Sequence, residues 1–207
     1  MMKTLIFDFD GTLVNSMQLY VNGFNQVGAD FGLPKIDSNN LQEMKQSSIK
    51  DLMKRYKIGP LKLAKLMLTV NKNIASEITN LEFFPNIKEL LLELAKKYQL
   101  GILTSNHVEN VEAFLKKQQF ENIFDFVYAS KNLFGKDKIL NSLLKKYRLN
   151  KEEVLYFGDE VRDIEACQKM QIKIAAVTWG FNEKSLLASK KPSYLFSSPD
   201  EIVDLLI

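Results

Sequence analysis

Hydrophobic residues follow two different patterns along this chain. Near its start, and again from about residue 84 onward, short apolar runs alternate with longer amphipathic stretches of helical period. Short runs of this kind are typical of strands buried on both faces, and strands that alternate with helices predict a parallel sheet. We therefore predict an α/β fold whose core is a doubly wound, Rossmann-like parallel sheet. The predicted strands are residues 3–8, 100–104, 126–129, 154–157 and 172–177.

The helices of this core are predicted from apolar positions that recur every three to four residues. Pro85 suits the first turn of the earliest one. Ser198-Pro199 is a typical start for the last one, which runs to Leu206. The remaining predicted helices are residues 87–98, 108–117, 138–147 and 164–170.

Strand signals are missing from about residue 13 to residue 79, where only helix-period patterns remain. Leu41, Met44, Leu52 and Tyr56 belong to such a pattern, and Gly59-Pro60 interrupts it. We predict an all-helical insert of roughly four helices at residues 17–80. The α/β core then consists of residues 1–16 and 81–207.

Composition narrows the range of functions. The 207 residues include 28 basic and 25 acidic ones, a net charge of +3, which is too balanced for a nucleic-acid-binding surface. A single cysteine, Cys167, fits a reducing compartment. There is no signal-peptide pattern and no apolar stretch of membrane length, so we expect a cytoplasmic protein without a membrane partner. The oligomeric state cannot be read from the sequence.

Polar residues follow three of the predicted strands. Asp8 and Asp10 come directly after the first apolar run, and Thr104-Ser105 and Asp159 follow two later ones. Side chains alternate along a strand, so the two aspartates can point the same way, and Gly11 allows a sharp turn just beyond them. Ligand sites of open α/β sheets lie outside the carboxyl ends of the strands. We expect these side chains to share one crevice.

Such a crevice would hold several carboxylates, which repel one another unless a cation is present. The chain has one histidine, so oxygen is the available ligand atom, and oxygen ligands favour Mg²⁺ over Zn²⁺. A magnesium ion held by one or two carboxylates commonly binds a phosphate oxygen as well. The predicted cofactor is therefore Mg²⁺, and the predicted partner is a small phosphorylated metabolite.

The segments Asp8–Thr12 and Gly158–Asp163 resemble the first and fourth motifs of the haloacid dehalogenase superfamily. The helical insert just after the first motif resembles the cap of that superfamily's phosphoglycolate phosphatase-like branch. This resemblance extends over the whole chain and implies a phosphatase with an inserted helical cap.

The resemblance also implies roles for individual residues. Asp8 would be the nucleophile that forms an aspartyl-phosphate and would also bind the metal. Asp10 would act as general acid and base, and its backbone carbonyl would bind the metal. Thr104 would bind the transferring phosphoryl group, with Ser105 as the alternative. Further phosphate contacts fall on Gly11, Thr12 and Asn106. Asp159 would bind the metal directly, and Asp163 would act through water or by supporting the direct ligands.

The phosphate-binding lysine of this family has two candidates here. Lys136 follows a glycine and opens a predicted helix, as the family position requires, but Asp137 stands where the branch usually has proline. Lys131 is the alternative. Lys45, Gln46 and Ser47, in the middle of the insert, are candidates for substrate specificity.

Several functions share these residue types. The leading one is a Mg²⁺-dependent phosphatase acting on a small phosphomonoester. The alternatives are a sugar phosphomutase of the same superfamily, a receiver-type module that carries a long-lived phospho-aspartate, and a catalytically silent interaction module. Dehalogenation is disfavoured because neither the acid/base Asp10 nor the acidic metal-binding cluster would have a role in that reaction.

Overall fold

A computed structural model describes residues 2–129 and 135–207 of the chain. In this part of the chain, six strands form one sheet in the order β3-β2-β1-β4-β5-β6, and all neighbours are parallel. The prediction of a doubly wound parallel sheet is therefore confirmed. The strands are β1 (Thr4–Phe7), β2 (Gln99–Thr104), β3 (Phe126–Ala129), β4 (Val154–Gly158), β5 (Lys173–Val177) and β6 (Tyr194–Phe196).

Strand β1 lies in the middle of the sheet between β2 and β4. Leu5 is in register with Leu100 on one side and with Leu155 on the other. All four residues of β1 are buried, which explains why its sequence is a continuous apolar run. Because the chain continues to β2 on one side of β1 and reaches β4 on the other, the strand order reverses here. A ligand crevice is expected at this reversal.

Helices surround the sheet and also form the insert. Helix α8 begins three residues earlier than predicted because Glu160 and Asp163 form a capping box at its start. The described helices of the core are α5 (Ile87–Leu94), α6 (Val108–Lys117), α7 (Lys136–Tyr147), α8 (Val161–Met170), α9 (Lys184–Ser189) and α10 (Asp200–Leu206), and those of the insert are α1 (Met17–Val27), α2 (Ser38–Lys45), α3 (Ile49–Arg55) and α4 (Pro60–Ile74).

Two elements of the core were not predicted. Strand β6 has three residues and helix α9 has six, so neither is long enough for a clear periodic pattern. Pairing with β5 specifies β6, which is a tertiary contact. None of the helices in the described residues is long and apolar enough to cross a bilayer.

Helices α1 and α4 form the centre of the insert. Gly23 allows their close approach, because a Cβ atom there would lie 2.5 Å from Cγ2 of Ile74. The two segments that join the insert to the core are hydrogen-bonded to each other. Asn15 N–H donates to the carbonyl of Glu82 at 3.2 Å, and Phe84 N–H donates to that of Leu13 at 3.0 Å. The division at residues 17 and 80 remains a prediction, and we call residues 17–80 the cap.

Candidate active site

Three buried carboxylates meet at the carboxyl ends of β1 and β4. Asp8 follows β1, Asp159 follows β4, and Asp163 lies in the first turn of α8. One carboxylate oxygen from each lies within 4.8 Å of the other two, and their exposed fractions are 0–4%. We call these three residues the acidic triad. The sequence predicted this convergence because β1 and β4 were expected to end at the same edge of the sheet.

The orientation of the first motif follows from strand alternation. Asp8 and Asp10 face the crevice, while Phe9 between them is fully buried on the other side against Phe114, with ring centroids 5.2 Å apart. Gly11 has a φ of 75°, a conformation that favours glycine. A Cβ atom at Gly11 would also clash with the carboxylate of Asp159. The motif therefore requires glycine for two separate reasons.

Asp159 is held by two short hydrogen bonds. The Thr12 hydroxyl donates to its Oδ1 at 2.7 Å, and the Phe181 backbone N–H donates to its Oδ2 at 2.7 Å. Burial raises the pKa of Asp159 well above its ordinary value, and the charges of Glu160 and Asp163 add to this rise. Thr12 was predicted as a phosphate contact, but its hydroxyl is committed to Asp159. Only its backbone is left for that role.

Lys136 forms ion pairs with two members of the triad. Its Nζ lies 2.5 Å from Asp8 Oδ2 and also pairs with Asp163. Burial lowers the pKa of Lys136, but the charges of Asp163 and Asp8 outweigh burial, so the pKa is raised. The side chain therefore stays protonated beside Asp8. The alternative candidate, Lys131, lies outside the described residues.

Asp10 has the same side chain as Asp8 and a different environment. Burial raises the pKa of Asp10 to about 6, and the negative charge of Asp8 contributes to the rise. The Tyr20 hydroxyl donates to Asp10 Oδ2 at 3.1 Å, and Asn106 Nδ2 approaches the same oxygen at 3.5 Å. The other oxygen, Oδ1, is buried without a hydrogen-bond partner among the described residues. A carboxyl group with this pKa can donate or accept a proton near neutral pH.

The end of β2 supplies hydroxyl and amide groups to the same crevice. Thr104 is buried, and its Oγ1 accepts the Asn106 backbone N–H at 2.9 Å. Within residues 2–129 and 135–207 its hydroxyl donates to no group, so the hydrogen is available for a ligand. Asn106 is buried as well, and Ser105 lines a cavity beneath the cap. Asn106 is therefore in contact with Asp10, and Ser105 lines the same cavity as Asp10.

Sequence reasoning missed the groups that the cap and the loop after β5 contribute. Tyr20 lies on α1 of the cap, and its hydrogen bond to Asp10 crosses between the two parts of the protein. The backbone N–H of Phe181 donates to Asp159. The rings of Phe181 and Tyr20 lie edge to face, with their centroids 5.8 Å apart. No motif signals these residues, because an isolated tyrosine or phenylalanine carries no pattern of its own.

The cap is in contact with the core on the side of this loop. Glu183 N–H donates to the carbonyl of Lys45 at 2.9 Å, and Asn182 Nδ2 donates to that of Ser47 at 3.3 Å. Lys50 forms an ion pair of 2.6 Å with Glu165 on α8. Lys45 and Ser47, which were candidates for substrate specificity, therefore lie at the contact between cap and core.

The donor set of the triad fits a hard divalent cation. Three carboxylates supply oxygen ligands, and their repulsion in a buried site is only partly offset by Lys136. Asp8, Asp159 and Asp163 are the side chains that could hold Mg²⁺. A metal at this position would touch Asp8 while Asp10 remained outside the ligand set of side chains.

Comparisons with known proteins identify the family of this chain. Residues 5–177 match the family model described as haloacid dehalogenase-like hydrolase. A phosphoglycolate phosphatase of Synechococcus elongatus is 34% identical over 203 residues, covering 98% of this chain and 96% of the relative. Pyrophosphatase PpaX of Bacillus thuringiensis is 25% identical over 220 residues, covering 99% and 96% of the two chains.

Solved structures share the fold over nearly the full length. A haloacid dehalogenase-like hydrolase of Streptococcus pneumoniae has a TM-score of 0.81 at 24% identity, covering 100% of this chain and 99% of that one. A predicted phosphatase of Clostridium acetobutylicum has a TM-score of 0.84 at 18% identity, covering 99% and 98%. The sequence matches and the fold lead to one assignment: the chain belongs to the haloacid dehalogenase-like hydrolase family, in its phosphoglycolate phosphatase-like branch.

Proposed function

We propose that this protein is a Mg²⁺-dependent phosphatase that hydrolyses a small phosphomonoester through an aspartyl-phosphate on Asp8. The observation that carries the proposal is the position of Asp8, which belongs to the acidic triad and lies 2.5 Å from Lys136. Asp10, with its pKa raised to about 6 by burial, stands two residues away as a proton donor. Nucleophile, positive charge and acid are then available in one buried crevice.

In the first half-reaction, a carboxylate oxygen of Asp8 attacks phosphorus as the bond between phosphorus and the alcohol oxygen breaks. The proton of Asp10 goes to the departing oxygen, so the alcohol leaves neutral. Lys136 and the Thr104 hydroxyl bind oxygens of the phosphoryl group. Bound Mg²⁺ would supply further positive charge for the same oxygens.

In the second half-reaction, Asp10 is a carboxylate and accepts a proton from water. The water oxygen attacks phosphorus, the bond to Asp8 breaks, and inorganic phosphate leaves. Water must be kept out in the first step and admitted in the second. The cap suits this requirement because Tyr20 contacts Asp10 directly and two short segments join the cap to the core.

The substitution Asp8→Asn tests the proposal, because it removes the nucleophile at almost constant shape. We expect release of inorganic phosphate from p-nitrophenyl phosphate to fall below a few per cent of wild type. Asp204→Asn, at an exposed aspartate of α10, is the matched control and should behave as wild type.

Acid quenching of the wild-type reaction followed by mass spectrometry should find a phosphoryl group on the peptide that carries Asp8. Substantial activity of Asp8→Asn, with deamidation excluded, would contradict the proposal. Conversion of a sugar phosphate to its isomer without phosphate release would favour the phosphomutase, and a phosphorylated form that persists for hours would favour the receiver module.

A further inference from the structure

Among the described residues, three polar side chains lie against the carboxyl group of Asp10, and they come from different parts of the chain. Asn106 follows β2, Ser16 directly precedes α1, and Tyr20 lies on α1. All three oppose the rise in the Asp10 pKa that burial causes. Asn106 and Ser16 belong to the core and its linker, whereas Tyr20 belongs to the cap.

The core supports the Tyr20 side chain in this position. The Tyr20 hydroxyl donates to Asp10 Oδ2 at 3.1 Å. The rings of Tyr20 and Phe181 lie edge to face, with their centroids 5.8 Å apart. The backbone N–H of Phe181 donates to Asp159 at 2.7 Å. One loop therefore supports both the tyrosine that donates to Asp10 and a member of the acidic triad.

Asp10 and Tyr20 both line a cavity of about 190 Å³ between the cap and the core. In the proposed reaction Asp10 gives its proton to the leaving oxygen, so the alcohol part of the substrate must lie next to Asp10 in this cavity. A protonated carboxyl group has one O–H donor, and its other oxygen accepts hydrogen bonds. Because Oδ2 accepts from Tyr20, Oδ1 is the oxygen left to carry the proton.

We infer that Tyr20 is a positioning residue for the proposed general acid. Its hydroxyl, supplied by the cap, fixes the carboxyl group of Asp10 in the orientation that protonates the leaving oxygen. The inference rests on the proposed function and adds the residue that links the cap to the acid step. Asn106 stays beside Asp10 when the cap moves, whereas Tyr20 moves with α1. The acid is therefore fully oriented only when the cap is closed and water is excluded.

Two aryl esters of similar shape test the inference, phenyl phosphate and p-nitrophenyl phosphate. Phenolate is a much stronger base than p-nitrophenolate, so its departure depends more on protonation by Asp10. The quantity compared is kcat/KM, because it reports phosphoryl transfer to Asp8 and not the later release of phosphate. The substitution Tyr20→Phe removes the hydroxyl and keeps the ring that packs on Phe181.

In Tyr20→Phe, we expect kcat/KM for phenyl phosphate to fall about tenfold or more. Asp10 becomes a carboxylate as it gives up its proton, and a hydrogen bond to a charged group contributes a factor of this size. For p-nitrophenyl phosphate we expect a smaller fall of about twofold to threefold, since its leaving group needs little protonation. The ratio of the two kcat/KM values therefore shifts toward the nitrophenyl ester.

This ratio separates positioning from packing, because a partly unfolded preparation loses activity toward both esters in the same proportion. Tyr98→Phe is the matched control. The Tyr98 hydroxyl donates to the carbonyl of Leu206 at 2.9 Å, and Tyr98 precedes β2, at the end of the strand opposite to Thr104. Its ratio should equal that of wild type. A ratio in Tyr20→Phe that is unchanged, or shifted toward phenyl phosphate, would overturn the inference.

The proposed function fails separately from this inference. If the wild-type protein releases phosphate from neither ester, the proposed function is wrong and the inference falls with it. If the wild-type protein hydrolyses both esters and Tyr20→Phe leaves their ratio unchanged, only the inference is wrong.

Discussion

At the scale of single residues, environment separates side chains that are chemically identical. Asp8 lies inside the triad, where burial raises its pKa, and the charge of Lys136, 2.5 Å from its Oδ2, opposes this rise. Asp10 has Tyr20 as its neighbour, and burial raises its pKa to about 6. In the proposed mechanism, Asp8 attacks phosphorus and Asp10 carries a proton. Each role depends on neighbours from other elements.

A prediction at this scale concerns Thr12, which does not belong to the triad but donates to Asp159 at 2.7 Å. Thr12→Val removes the hydroxyl at nearly constant shape and leaves a buried carboxylate oxygen without that donor. Loss of a hydrogen bond that orients a metal ligand typically weakens metal affinity about 10–100-fold. We expect the Mg²⁺ concentration for half-maximal activity to rise within that range.

Thr69→Val is the control, because the Thr69 hydroxyl donates to a backbone carbonyl on the exposed side of α4. Titration of activity with Mg²⁺ gives the result. Identical curves for Thr12→Val and wild type would contradict the role of Thr12 in positioning Asp159.

At the scale of elements, the loop between β5 and α9 connects the site with the cap. Phe181 in this loop donates to Asp159, and Asn182 contacts both the cap and the core. Asn182 Oδ1 accepts the N–H of Val161 at 2.9 Å, while its Nδ2 donates to the carbonyl of Ser47. The loop therefore joins the first turn of α8 to the cap.

The substitution Asn182→Ala should favour opening of the cap. Loss of a hydrogen bond of about 1 kcal/mol that exists only in the closed state lowers the closed population, and KM rises by the same factor. We expect KM for p-nitrophenyl phosphate to rise about fivefold, with a smaller change in kcat. Asn73→Ala, at an exposed position of α4, should leave both constants as in wild type. A wild-type KM in Asn182→Ala would refute the proposed closing contact.

At the scale of the whole molecule, metal binding and folding stability are coupled. The triad joins residues after β1 and β4 with the start of α8, so the unfolded chain has no such site. A ligand that binds only the folded state stabilises it by mass action. Mg²⁺ should therefore stabilise the protein as well as activate it.

We expect Mg²⁺ at about 100 times its Kd to add about 2.7 kcal/mol to the free energy of unfolding. For a chain of this length, that corresponds to a rise of about 5–10 °C in Tm. Thermal unfolding with Mg²⁺ and with EDTA measures the difference. Asp159→Ala should lose most of the rise, and an equal rise in that variant would exclude Asp159 as a ligand.

Local patterns in the sequence predicted the strands of the sheet from β1 to β5, the helical insert and the carboxylates of the first and fourth motifs. These features depend on apolar periodicity and on motif spacing, both of which neighbouring residues determine. The sequence predicted a doubly wound parallel sheet but not the order of its strands. That order depends on the pairing of β1 with β2 and β4, which are distant from it along the chain.

The tertiary structure alone decided which groups face one another across the site. It brought the Tyr20 hydroxyl of the cap to Asp10, committed the Thr12 hydroxyl to Asp159 and lined the cavity beneath the cap with side chains from both parts of the protein. The physical reason is distance along the chain. Hydrogen bonds and burial act between residues that folding brings together, 147 positions apart for Thr12 and Asp159, and no local pattern encodes such a pair.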